Sequence, residues 1–202
     1  SFKVAMVAGG YRAGGEKIAR EIFNLIKGAK VRFNPPKHLT VNHTFVKIKR
    51  EPKTKTPEQP FISSIAFREF CFQQGELVVA IDVAGFDQEA VKKLIMVGAH
   101  INYFGKQGSF FQFVEAEQIS DLPKGFTVAV PEELESLDST TYQVTQILDD
   151  IGELNAKDMF ERINTYSSKS IDVNKHRVLK HYLLPYKLVQ ENNNYSYYLK
   201  DF

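Results

Sequence analysis

The N-terminal region carries two apolar patterns of different period. Residues 2–8 are almost wholly apolar and end at Gly9 and Gly10, which predicts a buried strand followed by a sharp turn. Between Gly14-Gly15 and Gly28, apolar residues recur at helical spacing, which predicts a helix over residues 16–27; they are Ile18, Ile22, Leu25 and Ile26. The chain is therefore predicted to open strand–helix.

Residues 30–60 contain five prolines, and apolar and polar side chains alternate between positions 39 and 49. This pattern predicts one strand of a β-hairpin whose basic, proline-bearing tip covers residues 50–60. Further strands are predicted at residues 61–69 and 76–83. A basic tip cannot easily pack into a core, so we expect a protruding arm.

A second helix is predicted after the N-cap Asp87, with Val91, Leu94 and Ile95 on its buried face. Short strands are expected at residues 110–114 and 126–130. This order predicts an α+β fold with a ferredoxin-like sheet. We assign that domain to residues 1–130, with the hairpin inserted at residues 30–60.

The C-terminal residues 131–202 are expected to form an α/β extension. Helices are predicted over residues 142–151 and 156–164. Residues 177–190 and 195–199 predict a closing β-hairpin across a polar turn at residues 191–194.

The composition, 43% hydrophobic and 25% charged over 202 residues, is that of an ordinary soluble chain with enough apolar residues for a core. Cys71 is the only cysteine, so no disulfide can form within the chain, which predicts a reducing, cytoplasmic location. No apolar run reaches the roughly 18 residues of a membrane span, and no membrane partner is expected.

The net charge of +2 hides a segregation of charge along the chain. Residues 30–57 carry eight Lys or Arg and one acid, a local charge of +7, whereas residues 121–161 carry ten acids and two Lys. A charge run is often only a solvated face. This one is interleaved with the rings of Phe33, His38, His43 and Phe45, as binding of stacked bases on a phosphate backbone requires. The predicted RNA contacts are Lys37, His43, Lys47, Lys49, Arg50 and Lys53.

Three further segments are candidate contacts with alternatives. Gly105, Lys106 and Gly108 form either a phosphate-binding loop or a tight turn with a solvated lysine. Arg12, after Gly9-Gly10-Tyr11, lies either beside a ligand or in a plain turn. Arg68 is either a cation aimed at a sheet face or the partner of Glu69 in a buried ion pair.

Catalytic and metal sites are not predicted. The five histidines have no tight zinc spacing, and a single cysteine cannot build a thiolate site. No cofactor is expected. One alternative is a metal-independent endoribonuclease with His43 or His100 as base. A second is an interaction module whose basic arm binds an acidic protein and no nucleic acid.

Three segments resemble the CRISPR-associated Cas-five family of the repeat-associated mysterious protein superfamily. They are SIAFREF at residues 64–70, NYFGKQGSF at residues 102–110, and LPYKL with YSYY at residues 184–188 and 195–198. The family's Phe-Arg pair after the first strand is replaced here by Tyr11-Arg12. The Tyr–Lys–His set of its RNA-cleaving branch has no match, so the resemblance does not imply cleavage.

The resemblance implies a non-catalytic subunit of a type I CRISPR effector (Cascade) that caps the 5′ handle of the crRNA. The basic arm would be a thumb that folds over the RNA backbone. The partners implied are the crRNA, the Cascade backbone subunit and the large subunit. Target DNA would be met indirectly, because the guide reads the target by base pairing.

Overall fold

The computed structural model describes residues 2–54, 56–58, 60–105, 108–130, 142–152 and 157–200. Helices and strands alternate irregularly along the chain. In order they are α1 (Phe2–Ile26), β1 (Val31–Asn34), β2 (His38–Arg50), β3 (Ile62–Gln74), β4 (Val78–Ile81), α2 (Gln88–Gly98), β5 (Val128–Val130), β6 (Gln143–Ile151), α3 (Met159–Ile163), β7 (Arg177–Leu184), β8 (Lys187–Glu191) and β9 (Tyr195–Leu199).

Helix α1 is a helical hairpin that reverses at Gly14 and Gly15. Gly15 has φ of 75°, a conformation that glycine adopts without the steric penalty of a Cβ. Its two halves pack side by side, and the Lys3 ammonium near one end donates a 3.2 Å hydrogen bond to the Lys27 carbonyl at the other. At Gly10 the halves touch: a Cβ there would lie 2.8 Å from Ala19 Cα.

The strands form three antiparallel groups in the described part of the chain. β1 pairs with β4, β2 lies between β3 and β9 with β8 beyond β9, and β7 lies between β5 and β6. Phe33 and Thr127 link the first group to the third, because the Thr127 amide donates to the Phe33 carbonyl and the Phe33 amide donates to Thr127 Oγ1, at 2.7 and 3.1 Å.

Two apolar clusters flank the helical hairpin. One joins α1 to β1 and α2 through Met6, Ile22, Val97 and their neighbours, and the other joins α1 to Ile151 and α3 through Val7 and Phe23. Asp87 caps α2 as predicted, accepting a 2.7 Å hydrogen bond from the Ala90 amide. The fold is therefore α+β with antiparallel sheets.

Three sequence predictions are wrong. Residues 2–8 are helical rather than a strand: the run is buried on nearly all sides, and the helix continues through Gly9 and Gly10, which lie against Val97 and Ala19. Residues 142–151 are not a helix: β6 covers most of them and pairs with β7 from Gln143 to Ile151. Residues 110–114 form only an isolated bridge at Phe110, not a strand.

Several other predictions are confirmed at element level. The helix over residues 16–27 is the second half of α1, the strand at 76–83 is β4, and the closing hairpin is β8–β9. Pro185 interrupts the predicted strand 177–190, so β7 and β8 enter different sheets. A single ferredoxin-like sheet is not confirmed, since both β5–β7 and β2–β9 pair strands from either side of residue 130.

No helix in the described ranges is long and apolar enough to cross a membrane. Much of the acidic segment at residues 121–161 lies outside the described residues, including Glu132, Glu133 and Glu135.

We expect Gly10→Ala to destabilise the protein. Overpacking against Ala19 costs about 1–3 kcal/mol of stability, whereas alanine in a helix is about 1 kcal/mol more favourable than glycine, so the free energy of unfolding should fall on balance. Gly10→Leu should lower it further. Urea unfolding measures the change. Gly108→Ala is the control, because a Cβ there meets no atom within 4 Å. Equal stability of the Gly10 and Gly108 variants would contradict the close packing.

Candidate nucleic-acid interface

The basic region forms a long arm made by β2 and β3. The two strands pair over thirteen positions, from His38 opposite Gln74 to Arg50 opposite Ile62. β9 pairs only with the first part of β2, from His38 to Asn42. Positions 44–50 of β2 therefore have β3 as their sole described strand neighbour, and this part extends about 24 Å beyond the sheet.

One face of the arm presents rings and cations together. Residues directly opposite each other in an antiparallel pair share a face, so Phe45 stands beside Phe67, and Lys47 stands beside Ile65. The two phenylalanine rings lie 5.5 Å apart at 64°, and their side chains remain 72% and 50% exposed. Ile65 is 76% exposed. We call Phe45, Lys47, Lys49, Ile65 and Phe67 the arm strip.

His43 lies on the same face as the arm strip, at the end nearest the root of the arm. Its ring lies parallel to that of Phe67, with 6.0 Å between centroids, and its nitrogens contact Ser196 Oγ at 3.0 Å and Glu69 Oε1 at 3.2 Å. Both ring nitrogens are therefore engaged. These contacts give His43 a positioning role beside Phe67, and the predicted RNA contact at His43 stays a prediction.

Arg68 and Glu69 do not pair with each other, because neighbours in a strand point to opposite faces. Glu69 contacts His43, whereas Arg68 lies opposite Thr44 on the other face and donates a 2.9 Å hydrogen bond to the Phe67 carbonyl. Of the two alternatives for Arg68, the ion pair with Glu69 is wrong and the cation on a sheet face is what the structure has.

The remaining basic candidates of this segment are exposed. Lys37 precedes β2, Arg50 ends it on the face opposite Lys49, and Lys53 lies in the turn beyond. The positive charge thus surrounds the arm rather than marking one face.

The glycine loop is a small closed turn. The Phe104 amide donates to the Ser109 carbonyl and the Phe111 amide to the Asn102 carbonyl, at 3.2 and 3.0 Å. Gly105 has φ of 72°, and Gly108 is exposed. Lys106 lies outside the described residues. Among described residues, no hydrogen bond or ring contact joins this loop to the arm, so the sequence-predicted sites fall in two places.

Arg12 links α1 to the end of α2. Its Nε donates a 2.7 Å hydrogen bond to the His100 carbonyl, and its guanidinium lies 5.8 Å from the centre of the Tyr103 ring. Tyr11 packs on Tyr166 with 4.8 Å between centroids, and its hydroxyl accepts from Asn164 at 2.9 Å. These contacts give both residues a packing role, and the predicted ligand contact of Arg12 stays a prediction.

The aromatic residues of β3 were missed by sequence reasoning. Phe67, Phe70 and Phe72 are at least half exposed. The sequence signal for them is that apolar residues occupy both alternating sets of positions along β3, so that they cannot all lie on one buried face. Phe33, by contrast, was grouped with the basic run but lies on β1, with its ring 6.4 Å from that of Phe2.

The histidines make separate local contacts. His100 Nδ1 lies 2.9 Å from the Met96 carbonyl, buried His176 accepts from the Asp172 amide at 3.0 Å, and His181 contacts Gln146 at 3.2 Å. Within the described ranges, no group of three His, Cys, Asp or Glu is placed to hold a metal ion.

No family model matches the chain, and no curated protein matches it.

The root of the arm is fixed by contacts from the C-terminal strands. The buried Tyr186 hydroxyl donates a 2.6 Å hydrogen bond to the Pro36 carbonyl. The Lys200 amide donates to the Lys37 carbonyl at 2.9 Å, and its ammonium bonds Asn34 Oδ1. Desolvation lowers the pKa of Lys200, and burial raises the pKa of Tyr186 to about 12.

We expect the raised pKa of Tyr186 to produce an alkaline loss of stability. The unfolded phenol ionises near pH 10, so its contribution is complete below pH 10 and is lost as pH rises towards 12. Thermal unfolding across this range measures the loss. Tyr186→Phe should cost about 1 kcal/mol at neutral pH and flatten the alkaline decline. An unchanged alkaline decline in that variant would contradict the assignment.

Proposed function

We propose that this chain binds single-stranded RNA without cleaving it. The observation that carries the proposal is the arm strip, a pair of exposed rings followed by lysines on a ribbon that reaches beyond its sheet. Rings stack on bases of any sequence, and lysines neutralise the phosphates between them. Exposed rings on a two-stranded ribbon contribute little to folding, so binding is the better account of their placement.

The same proposal extends to the partners. We infer a non-catalytic subunit of a type I CRISPR effector, in which the arm acts as a thumb on the crRNA 5′ handle and other surfaces contact the backbone and large subunits. Support comes from the Cas-five-like segments, of which SIAFREF lies on β3 of the arm and YSYY on β9 beside it. The proposal also includes a ferredoxin-like sheet, although the chain opens with a helix where that fold opens with a strand.

Protein docking is the second candidate function. It is favoured by Ile65, whose exposed side chain offers nothing to a phosphate, and by the open outer edge of β3. An extended partner could add a strand at that edge. Direct binding of purified chain to RNA separates the two candidates.

We expect the combined change Lys47→Ala, Lys49→Ala and Arg50→Ala to weaken RNA binding regardless of sequence. Each lost phosphate contact removes about 0.7 from the slope of log affinity against log salt, so the slope should fall by about 2. Titration of a labelled repeat RNA at several salt concentrations measures both effects. The exposed set Lys17, Lys92 and Lys157, changed to Ala, is the charge-matched control. Equal slopes for the two triple variants would refute a phosphate-binding arm.

We expect Phe45→Ala with Phe67→Ala to weaken RNA binding while leaving the salt slope unchanged. Stacking contributes about 1–3 kcal/mol per base, so the loss should be about tenfold or more. The same titrations measure it, and Tyr166→Ala serves as the exposed aromatic control. Incubation with repeat RNA should leave the RNA intact. Cleavage that His43→Ala or His100→Ala abolishes would instead establish the endoribonuclease alternative.

A further inference from the structure

The four-stranded sheet β3-β2-β9-β8 has a second face that is rich in aromatic side chains. Along β2, Thr40 stands between Phe72 and Tyr197, and Asn42 stands between Phe70 and Tyr195. Two parallel rows result, each with a ring, a short polar side chain and a second ring. Phe70 and Phe72 are 54% and 62% exposed.

The short residues leave a channel between the rings. Adjacent strands lie about 4.8 Å apart, so the flanking residues of a row are separated by about 10 Å at the backbone. The floor of the channel is Thr40 and exposed Asn42, whose hydroxyl and amide offer both donors and acceptors. His38 borders it: its ring is within 9° of parallel to that of Tyr197, and Nδ1 lies 2.7 Å from the tyrosine oxygen.

The charges on this face select a polyanion. Arg68 continues the face along β3 towards the arm, and exposed Lys187 lies opposite Leu199 at the far edge. The acids of the four strands are Glu69 and Glu191, and their partners His43 and Ser196 place both on the opposite face. In the four strands as described, this face therefore carries cations and no carboxylate.

We propose that this face is a second binding site for unpaired bases of single-stranded RNA. Phe70, Phe72, Tyr195 and Tyr197 stack on bases, while Thr40 and Asn42 hydrogen-bond to base edges. Arg68 and Lys187 contact phosphates. A purely apolar protein partner would leave the polar floor unpaired, which disfavours it as occupant.

This inference rests on the proposed function, because the same RNA would run from the arm strip to the sheet face. The arm strip and the sheet face lie on opposite sides of β2–β3, and β3 is the edge strand. An RNA strand would pass between them by crossing the β3 edge near Arg68, where the sheet narrows to two strands, and two-stranded ribbons twist more than wider sheets.

The experiment compares RNAs of two lengths. We expect Phe70→Ala with Phe72→Ala to weaken binding of a strand of about 16 nucleotides by about tenfold or more, and to leave a strand of about 5 nucleotides, which fills the arm strip alone, little changed. Phe70→Tyr with Phe72→Tyr should restore binding. Ultraviolet cross-linking and mass spectrometry should place the long strand on the peptide containing Tyr195 and Tyr197, and the alanine variant should lose that cross-link.

The outcomes separate this inference from the proposed function. If the arm triple variant loses binding and Phe70→Ala with Phe72→Ala does not, the sheet-face site is wrong and the RNA-binding arm stands. If wild-type protein binds neither RNA, both are wrong. If the sheet-face variant loses a co-purifying protein but keeps the RNA cross-link, the face binds protein and the inference is overturned. Circular dichroism confirms that each variant is folded, and Tyr166→Ala is again the aromatic control.

Discussion

The ladder between β2 and β3 is the constraint on which the candidate interface depends. Thirteen consecutive pairs fix which side chains share a face, and a slip of one residue would move every side chain to the other side. With the observed register, Phe45, Phe67 and Lys47 meet on one face of the arm, and Phe70, Phe72 and Arg68 belong to the other. In any register, strand alternation places Glu69 and Arg68 on opposite faces, so that Arg68 does not pair with its neighbour in sequence.

The described contacts that anchor the arm lie at its root. At the root, Tyr186 and the strand β9 hold residues 36–42 by buried and sheet hydrogen bonds. From Thr44 to Arg50, β2 has β3 as its sole strand neighbour among the described residues, and an isolated two-stranded ribbon is marginally stable in water. Exposed rings at positions 45 and 67 add little to its folding. A ligand that packs on them would order the arm, which couples binding to the stability of the ribbon.

Local signals in the sequence predicted the elements whose cause is local. The Asp87 cap, the polar turn before β9 and the alternation in β2 each depend on a few neighbouring residues, and each was found. The strand assigned to residues 2–8 failed because a short apolar run fits a strand or a buried helix equally, and the outcome depends on Gly10 meeting Ala19. Residues 142–151 have helical spacing, but pairing with β7 prevails over it.

The candidate-site residues divide in the same way, into those whose role is visible in the local sequence and those whose role depends on distant partners. Lysines at positions 47 and 49 were predictable, because charge is visible in the sequence itself. The roles of His43 and Arg12 were not, because each is set by a partner far along the chain: Ser196 for the histidine and His100 for the arginine. The aromatic rows required knowledge that β9 lies beside β2, a pairing between residues more than 150 positions apart.

The two faces would offer different kinds of interaction to the RNA that we propose as ligand. On the arm, lysines and arginine predominate, and their contribution is electrostatic, falls with salt and is indifferent to sequence. On the sheet face, rings predominate and the polar floor at Thr40 and Asn42 is the place where base edges could be distinguished. Affinity and sequence preference would therefore reside on opposite sides of one hairpin. Such a division would let the arm capture any single strand, while the sheet face retains only a strand whose unpaired bases fit the channel.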